Sequence, residues 1–392
     1  MKYSIATNWD LALLDRLEGT EVESLYGQIW GDPLGGGRMA LFIPKVDRGA
    51  ASTFIREARR RGLGFNYLMN GTCLDNLEFT KKGYGTLVEH IEWVASTGAD
   101  MVTVTLPFLL EVVKREVPPL KVAVSSFARV VSVQQARAWR EMGADKIILP
   151  ESVNRDFRTL QRIREAVDCE LELIANHCCL FQCFLDLHHR NMVSHGSQAG
   201  HPCGGFAPDY CKLACQRLKL LRPEELIKST WIRPEDVPSY EEIGIDCLKL
   251  VERFRGTESL LQIVHAYERQ RFEGNLVDLL SLPQAGAFLS PNLEILARTD
   301  LVEPEKMEAV MAVLREPFSG RVHIDNKRLD GFLDFFKEKD CLRMDCERCG
   351  YCKGVARRVI RIDEAWRGQM VARFERAMTM LTTGEVAGFL KV

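Results

Sequence analysis

Between positions 176 and 195 the chain reads NHCCLFQCFLDLHHRNMVSH, three cysteines and four histidines in twenty residues. Thiolates and imidazoles are the side chains that hold soft and borderline metal ions, so the segment reads as a metal-binding stretch. Cys179 and Cys183 form a Cys-x3-Cys pair, and Cys211 and Cys215 repeat the spacing in DYCKLACQR. Four thiolates in two close pairs can converge on one centre, with the residues between them looping over it. Sulfur donors exclude magnesium and calcium; zinc more often uses pairs with two intervening residues, so the wider spacing leans toward an iron–sulfur cluster. A second group lies in KDCLRMDCERCGYCKG, where Cys341, Cys346, Cys349 and Cys352 fall within twelve residues and Gly350 permits a tight turn. Its Cys-x2-Cys-x2-Cys core resembles cluster-binding runs of ferredoxins, with zinc in a four-cysteine knuckle as the alternative.

The wider cysteine usage agrees. Of thirteen cysteines six lie between 178 and 215 and four between 341 and 352, leaving Cys73, Cys169 and Cys247 apart. An odd count argues against complete disulfide pairing, and thiols scattered through a core would not cluster this way. The opening MKYSIATNWDLALL has no signal-peptide character and no run is long enough to span a bilayer, so a cytoplasmic location is expected. Lys+Arg 52 against Asp+Glu 54 gives a formal charge of −2, which disfavours nucleic acid as a partner without excluding it. Arg56, Arg59, Arg60 and Arg61 read as the solvated end of a helix.

The elements that must position these groups alternate. Strand-like YSIATN, ESLYG, GFNYLMN, DMVTVTLP, KVAVSS, DKIILPE and ELELIAN are separated by helical stretches, which predicts parallel strands with helical crossovers. STGADMVTV, EMGADKIIL and EIGIDCLKL repeat one phrase in which a glycine closes a helix and the next strand starts two residues on. Repetition at this spacing, with no Gly-rich dinucleotide loop, predicts an α/β fold of the (β/α)8 TIM-barrel type. The expected division is a barrel domain over residues 1–330 and a Cys-rich C-terminal extension over 331–392. Catalysis then belongs at the C-terminal strand ends, at Asn8, Asn70, Thr105, Ser125, Ser126, Glu151, Asn176, Glu252 and Arg253.

The segments NHCCLFQCFLDLHHRNMVSH, DYCKLAC and STWIRPEDVPSYEEIGIDCLKLVER together resemble peptidase family U32, the collagenase-like peptidases, in a divergent branch. The likeness is specific over about residues 175–253. It implies a barrel and, by similarity to iron–sulfur members, oxygen-independent hydroxylation of a small metabolite or an RNA base. The family's four-cysteine pattern falls on Cys179, Cys183, Cys211 and Cys215, although the first pair is closer together than in better-known members. Cys178, Cys203 or Cys247 could therefore replace one ligand. His188 and His195 match a His-then-Ser-His pattern of the branch and are the expected catalytic histidines, while His90, His265 and His323 are expected to be structural or exposed. Arg253, with Arg233 as an alternative, is the expected anchor for an anionic small-molecule substrate.

The reading is one 4Fe-4S cluster, or two if the tail holds another, with zinc as the alternative at the tail. An electron donor or partner subunit follows if the protein is redox-active. The rival classes are a zinc-dependent or other peptidase and a non-catalytic electron-transfer subunit; no Gly-x-Ser-x-Gly elbow or His-Glu-x-x-His helix supports the former.

Overall fold

The computed structural model describes residues 1–202, 207–251, 255–283, 305, 310, 312–314 and 316–385. Cys203, Glu252 and Arg253 lie outside the described residues. Eight parallel strands close into a barrel in chain order: β1 Lys2–Ala6, β2 Val22–Gly27, β3 Gly64–Met69, β4 Met101–Val104, β5 Lys121–Val124, β6 Lys146–Leu149, β7 Glu170–Ile174 and β8 Cys247–Leu250, which pairs back onto β1. The alternation in the sequence is thus a (β/α)8 barrel.

The repeated Gly-x-Asp phrase has a double purpose. Gly98, Gly143 and Gly244 take φ of +88°, +100° and +87°, the left-handed conformation that ends a helix. The aspartate two residues on then accepts from the N–H of the second residue of the preceding strand: Asp100 from Phe65 at 2.9 Å, Asp145 from Val122 at 2.7 Å and Asp246 from Leu171 at 2.8 Å. The phrase sets both the helix stop and the strand register.

Side chains alternate across each strand. Tyr3, Ile5, Leu25, Phe65, Val102, Val122, Ile147, Leu171 and Leu248 face the helices and form the main core. Inside the barrel, Ala6, Tyr26 and Leu68 make one small apolar group and Met101, Ala123, Ile148 and Ile174 another. The opposite end of the interior is charged: buried Lys146 lies 3.1 Å from Glu23 and 3.4 Å from Glu170, and Ser4 donates to Glu172.

The surrounding helices include α1 Leu11–Arg16, α2 Arg48–Arg60, α3 Lys81–Ser96, α4 Pro107–Glu116, α5 Val133–Glu141 and α6 Phe157–Ala166, followed by α7 Asp186–His195, α8 Tyr210–Leu221, α9 Glu224–Lys228, α10 Val237–Glu241 and α11 Thr257–Glu268. Side-chain caps from Asp10, Asp47, Thr80, Ser132, Asp156 and Asp209 start six of them. The amphipathic stretch after residue 256 is helical only to Glu268; Gln270, at φ +48°, turns the chain away.

Toward the C-terminus, β9 Val322–Ile324 pairs antiparallel with β10 Ile360–Ile362, joining residues on either side of position 330. The helix Glu364–Thr382 packs along α8, where Arg367 Nε donates to the Leu220 carbonyl at 2.8 Å. Among the described residues no helix is long and apolar enough to cross a membrane.

Candidate functional site at the barrel mouth

The segment after β7 leaves the barrel at Asn176. Its side chain is spent on the backbone, donating to the carbonyls of Val251 and Leu279 and accepting from Val251 N at 2.7 Å. That staple directs the next residues across the mouth. Cys179, Cys183, Cys211 and Cys215, the four expected ligands, all line one open cleft, with Cys178 beside them. Cys247 is instead buried at the start of β8, 3.8 Å from Glu172, and does not line the cleft.

Burial pushes the Cys211 thiol up to about 12, and nearby Asp209, Cys183 and Cys215 add to the effect. Cys215 is raised by burial too, although Lys219 opposes it. Cys179 donates to Cys183; this bond raises the former and draws the latter down to about 6. Lys219, one helical turn beyond Cys215, is 1% exposed and donates to the Cys178 carbonyl. Burial works against its charge, but Cys215, Cys178 and Cys179 together hold its pKa above the usual lysine value. Among the described residues no carboxylate pairs with this ammonium. A buried cation surrounded by sulfur, with burial holding Cys211 and Cys215 protonated, is compatible with a multi-thiolate metal site before a cation binds.

The cleft shares Gly37, Arg38, His177, Cys179, His189, Val193 and Ser281 with a second cavity in the barrel mouth. That cavity receives Asn70, Ser125, Ser126 and Glu151 from the strand ends, as expected, together with Lys249 and Arg190. Asn8 and Thr105 are turned to other partners, Thr257 and the Asn70 carbonyl. Glu151 accepts from or faces His177 Nδ1 at 2.9 Å, and Cys179 lies within 4.8 Å of both. Burial alone would raise the Glu151 carboxyl; His177 and Arg190 outweigh it and hold it well below the usual carboxylate range. His189 lies 3.4 Å from Asp209, which overcomes burial and raises its pKa.

The two expected catalytic histidines separate. His188 Nδ1 is 3.5 Å from Cys211 Sγ, inside the thiol group. His195, at the end of α7, stacks on His201 and lies 3.4 Å from Asp75 in the loop after β3. Arg233 is corrected as an anchor: its guanidinium is buried and committed to Asp236 at 2.8 Å, the Asn326 carbonyl and Asp330. Arg59 and Arg61, at the surface, pair with Asp100, Glu57 and Asp15, as a solvated helix end does. Sequence reasoning missed the His177–Glu151 and His189–Asp209 pairs and Lys219. Only Lys219, four residues from Cys215 on a helix, carried a legible spacing signal.

The tail cysteines also converge. Cys341, Cys346, Cys349 and Cys352 line one pocket, and three of them line a neighbouring one with Arg155 and Phe181. Arg155 is buried, its guanidinium 4.6 Å over Trp231 and 4.8 Å over Phe332, and its Nε has no partner among the described residues. Burial lowers its pKa while Cys352 raises it; reciprocally, burial pushes Cys352 up to about 11 and Arg155 pulls it down. The turn Glu151–Val153 and Arg155 thus form a common wall: Glu151 faces the mouth and Arg155 the tail pocket.

Fold and site together define a (β/α)8-barrel protein whose catalytic end is overlaid by a thiol-lined cleft. Residues 57–203 match the model of peptidase family U32. It is 28% identical over 333 residues to the Uncharacterized protease MJ1657 of Methanocaldococcus jannaschii, an alignment covering 84% of this chain and 86% of the relative. The solved structure of the U32 peptidase Mk0906 superposes with a TM-score of 0.49 and 22% identity, covering 64% of this chain and 93% of that one.

Proposed function

We propose that this chain is an iron–sulfur enzyme in which Cys179, Cys183, Cys211 and Cys215 hold a 4Fe-4S cluster beside a substrate cavity in the barrel mouth. The observation that carries the reading is the convergence of four thiols from two segments on one cleft, backed by the buried Lys219 ammonium that would balance thiolate charge. The donor chemistry fits: sulfur ligands with a nearby buried cation suit an anionic cluster. Bound there by all four thiolates, the cluster would supply one-electron redox chemistry; with one thiolate displaced it would offer an open iron to an oxygen-bearing donor, and either is a basis for oxygen-independent hydroxylation of a small metabolite or RNA base.

The chain's own residues do the rest. Lys249 gives the cavity positive charge for an anionic substrate, Arg190 being paired with Asp186 at 2.7 Å, and Asn70, Ser125 and Ser126 offer hydrogen bonds that orient it. His189, kept protonatable by Asp209, supplies an acid, and the ionised Glu151 orients His177 on the same wall. The tail cysteines, with Arg155 as countercharge, hold a second cluster, or zinc as the alternative. The region 331–392 is then an accessory to the barrel over 1–330, and an external electron donor or partner subunit completes the cycle in the cytoplasm.

Cys179, His177 and Glu151 also resemble a nucleophile, base and orienting acid, which favours a peptidase as the second reading. The ionisation of Cys179 weighs against it, because Cys183, burial and Glu151 all raise its pKa, whereas a nucleophile needs a thiolate. Iron, zinc and acid-labile sulfide per chain after anaerobic purification decide between them. Iron and sulfide lost together in Cys179→Ala and Cys215→Ala support the cluster. Protein without iron or sulfide that cleaves peptides in air overturns it.

A further inference from the structure

We infer that Cys73, Asp75 and His195 form a separate mononuclear zinc site that clamps α7 to the loop after β3, with His201 at its edge as a fourth donor. The inference is independent of the iron–sulfur reading, since none of these residues lines the thiol cleft.

One donor atom from each of Cys73, Asp75 and His195 lies within 4.8 Å of the other two. The individual spacings are more telling. Cys73 Sγ is 3.7 Å from Asp75 Oδ1, His195 Nε2 is 3.4 Å from the same oxygen, and His201 Nε2 is 3.8 Å from Asp75 Oδ2. Tetrahedral zinc with bonds of about 2.0–2.3 Å separates neighbouring donors by roughly 3.3–3.8 Å, and the Cys73 and His195 spacings to Asp75 Oδ1 fall in that range. The donor set, one thiolate with imidazole and carboxylate, is one that zinc accepts and that calcium and magnesium do not.

The scaffold around the donors is fixed from both sides. Thr72 N donates to Ser194 Oγ at 2.9 Å and Thr72 Oγ1 to Asn191 Oδ1 at 2.7 Å, while Gln198 Nε2 donates to the Cys73 carbonyl at 2.5 Å. Every one of these bonds ties the β3 loop to α7 or to the residues just after it. Asp75 and Asn76 are both left-handed, at φ 54° and 60°, and this turns the Asp75 carboxylate back toward Cys73. Short hydrogen-bonded links therefore bring a loop sulfur and a helix-end imidazole together, and a metal ion bridging them would lock the junction. The helix so fixed carries His189 and Arg190 into the barrel mouth, which gives the clamp a positioning role.

The test is zinc content and zinc-edge X-ray absorption of the full-length protein purified with zinc present. The expected result is a tightly retained zinc with one sulfur and two or three nitrogen or oxygen neighbours, lost in Cys73→Ser and in His195→Gln. Circular dichroism verifies that each variant remains folded, and the wild-type coordination shell decides the matter even if one does not. Retained zinc in an all-sulfur shell, zinc binding unchanged in both variants, or no retained zinc would each overturn the inference.

Discussion

Replacing Lys219 with methionine separates a lysine that merely fills space from one that balances thiolate charge. The ammonium is fully buried and its neighbours are the Cys178 carbonyl and the sulfurs of Cys178, Cys179 and Cys215. At about 4 Å and an effective dielectric near 20, one unit of opposite charge is stabilised by about 4 kcal/mol. That corresponds to roughly a thousandfold in an equilibrium constant. Methionine keeps the volume and discards the charge. With thiols protonated, the substitution removes a buried cation that has no carboxylate partner among the described residues, so metal-free protein should be as stable as wild type or more so. With thiolates bound to iron it strands negative charge, and iron should be lost far more readily to a chelator. The assay is anaerobic chelator competition on the loaded protein, paired with urea denaturation of the metal-free form. Equal iron retention in Lys219→Met and wild type would refute the charge-balance argument. A large loss of stability in the metal-free variant would show that the lysine's role is structural.

Three further outcomes are expected. Lys146→Met leaves Glu172, Glu23 and Glu170 without their shared cation inside the barrel, and should lower stability by about 3–5 kcal/mol, read as a fall in the urea midpoint at constant slope. For Asp32, burial raises the carboxyl, but His90 at 3.0 Å, Tyr67 and the Leu34 amide outweigh it and leave the folded pKa depressed. Its stabilisation is therefore full above the unfolded value of about 3.9 and is lost as pH falls through the folded one, so Asp32→Asn should be less stable at neutral pH and flatter with pH below about 4. Replacing Cys341 and Cys349 together by serine should roughly halve the iron if the tail holds a second 4Fe-4S cluster, and should leave iron unchanged while removing zinc if the tail is a knuckle.

The parts of this protein that were legible in its sequence are those governed by local chemistry. Gly-x-Asp marks three strand starts because one glycine supplies a left-handed cap and one aspartate a strand-register bond, both within three residues. The convergence of Cys179, Cys183, Cys211 and Cys215 on one cleft was legible because each pair lies close in the chain. The functional pairs that escaped notice cross between barrel units: Glu151 follows β6 while His177 follows β7, and His189 on α7 meets Asp209 at the start of α8. Barrel closure creates those contacts, and no spacing in one segment encodes them. Arg233 shows the opposite error. An arginine in a resembling segment reads as a substrate anchor, yet Asp236 lies three residues on, and a buried guanidinium is held by the nearest carboxylate. The same logic separates His188 from His195. They are seven residues apart on one helix, about two turns, and so could share a face; but α7 lies between the thiol cleft and the β3 loop, and each end meets a different neighbour. A single Cys/His-rich segment therefore reaches two places, and if both proposed sites hold metal, a mutation in one should leave binding at the other intact.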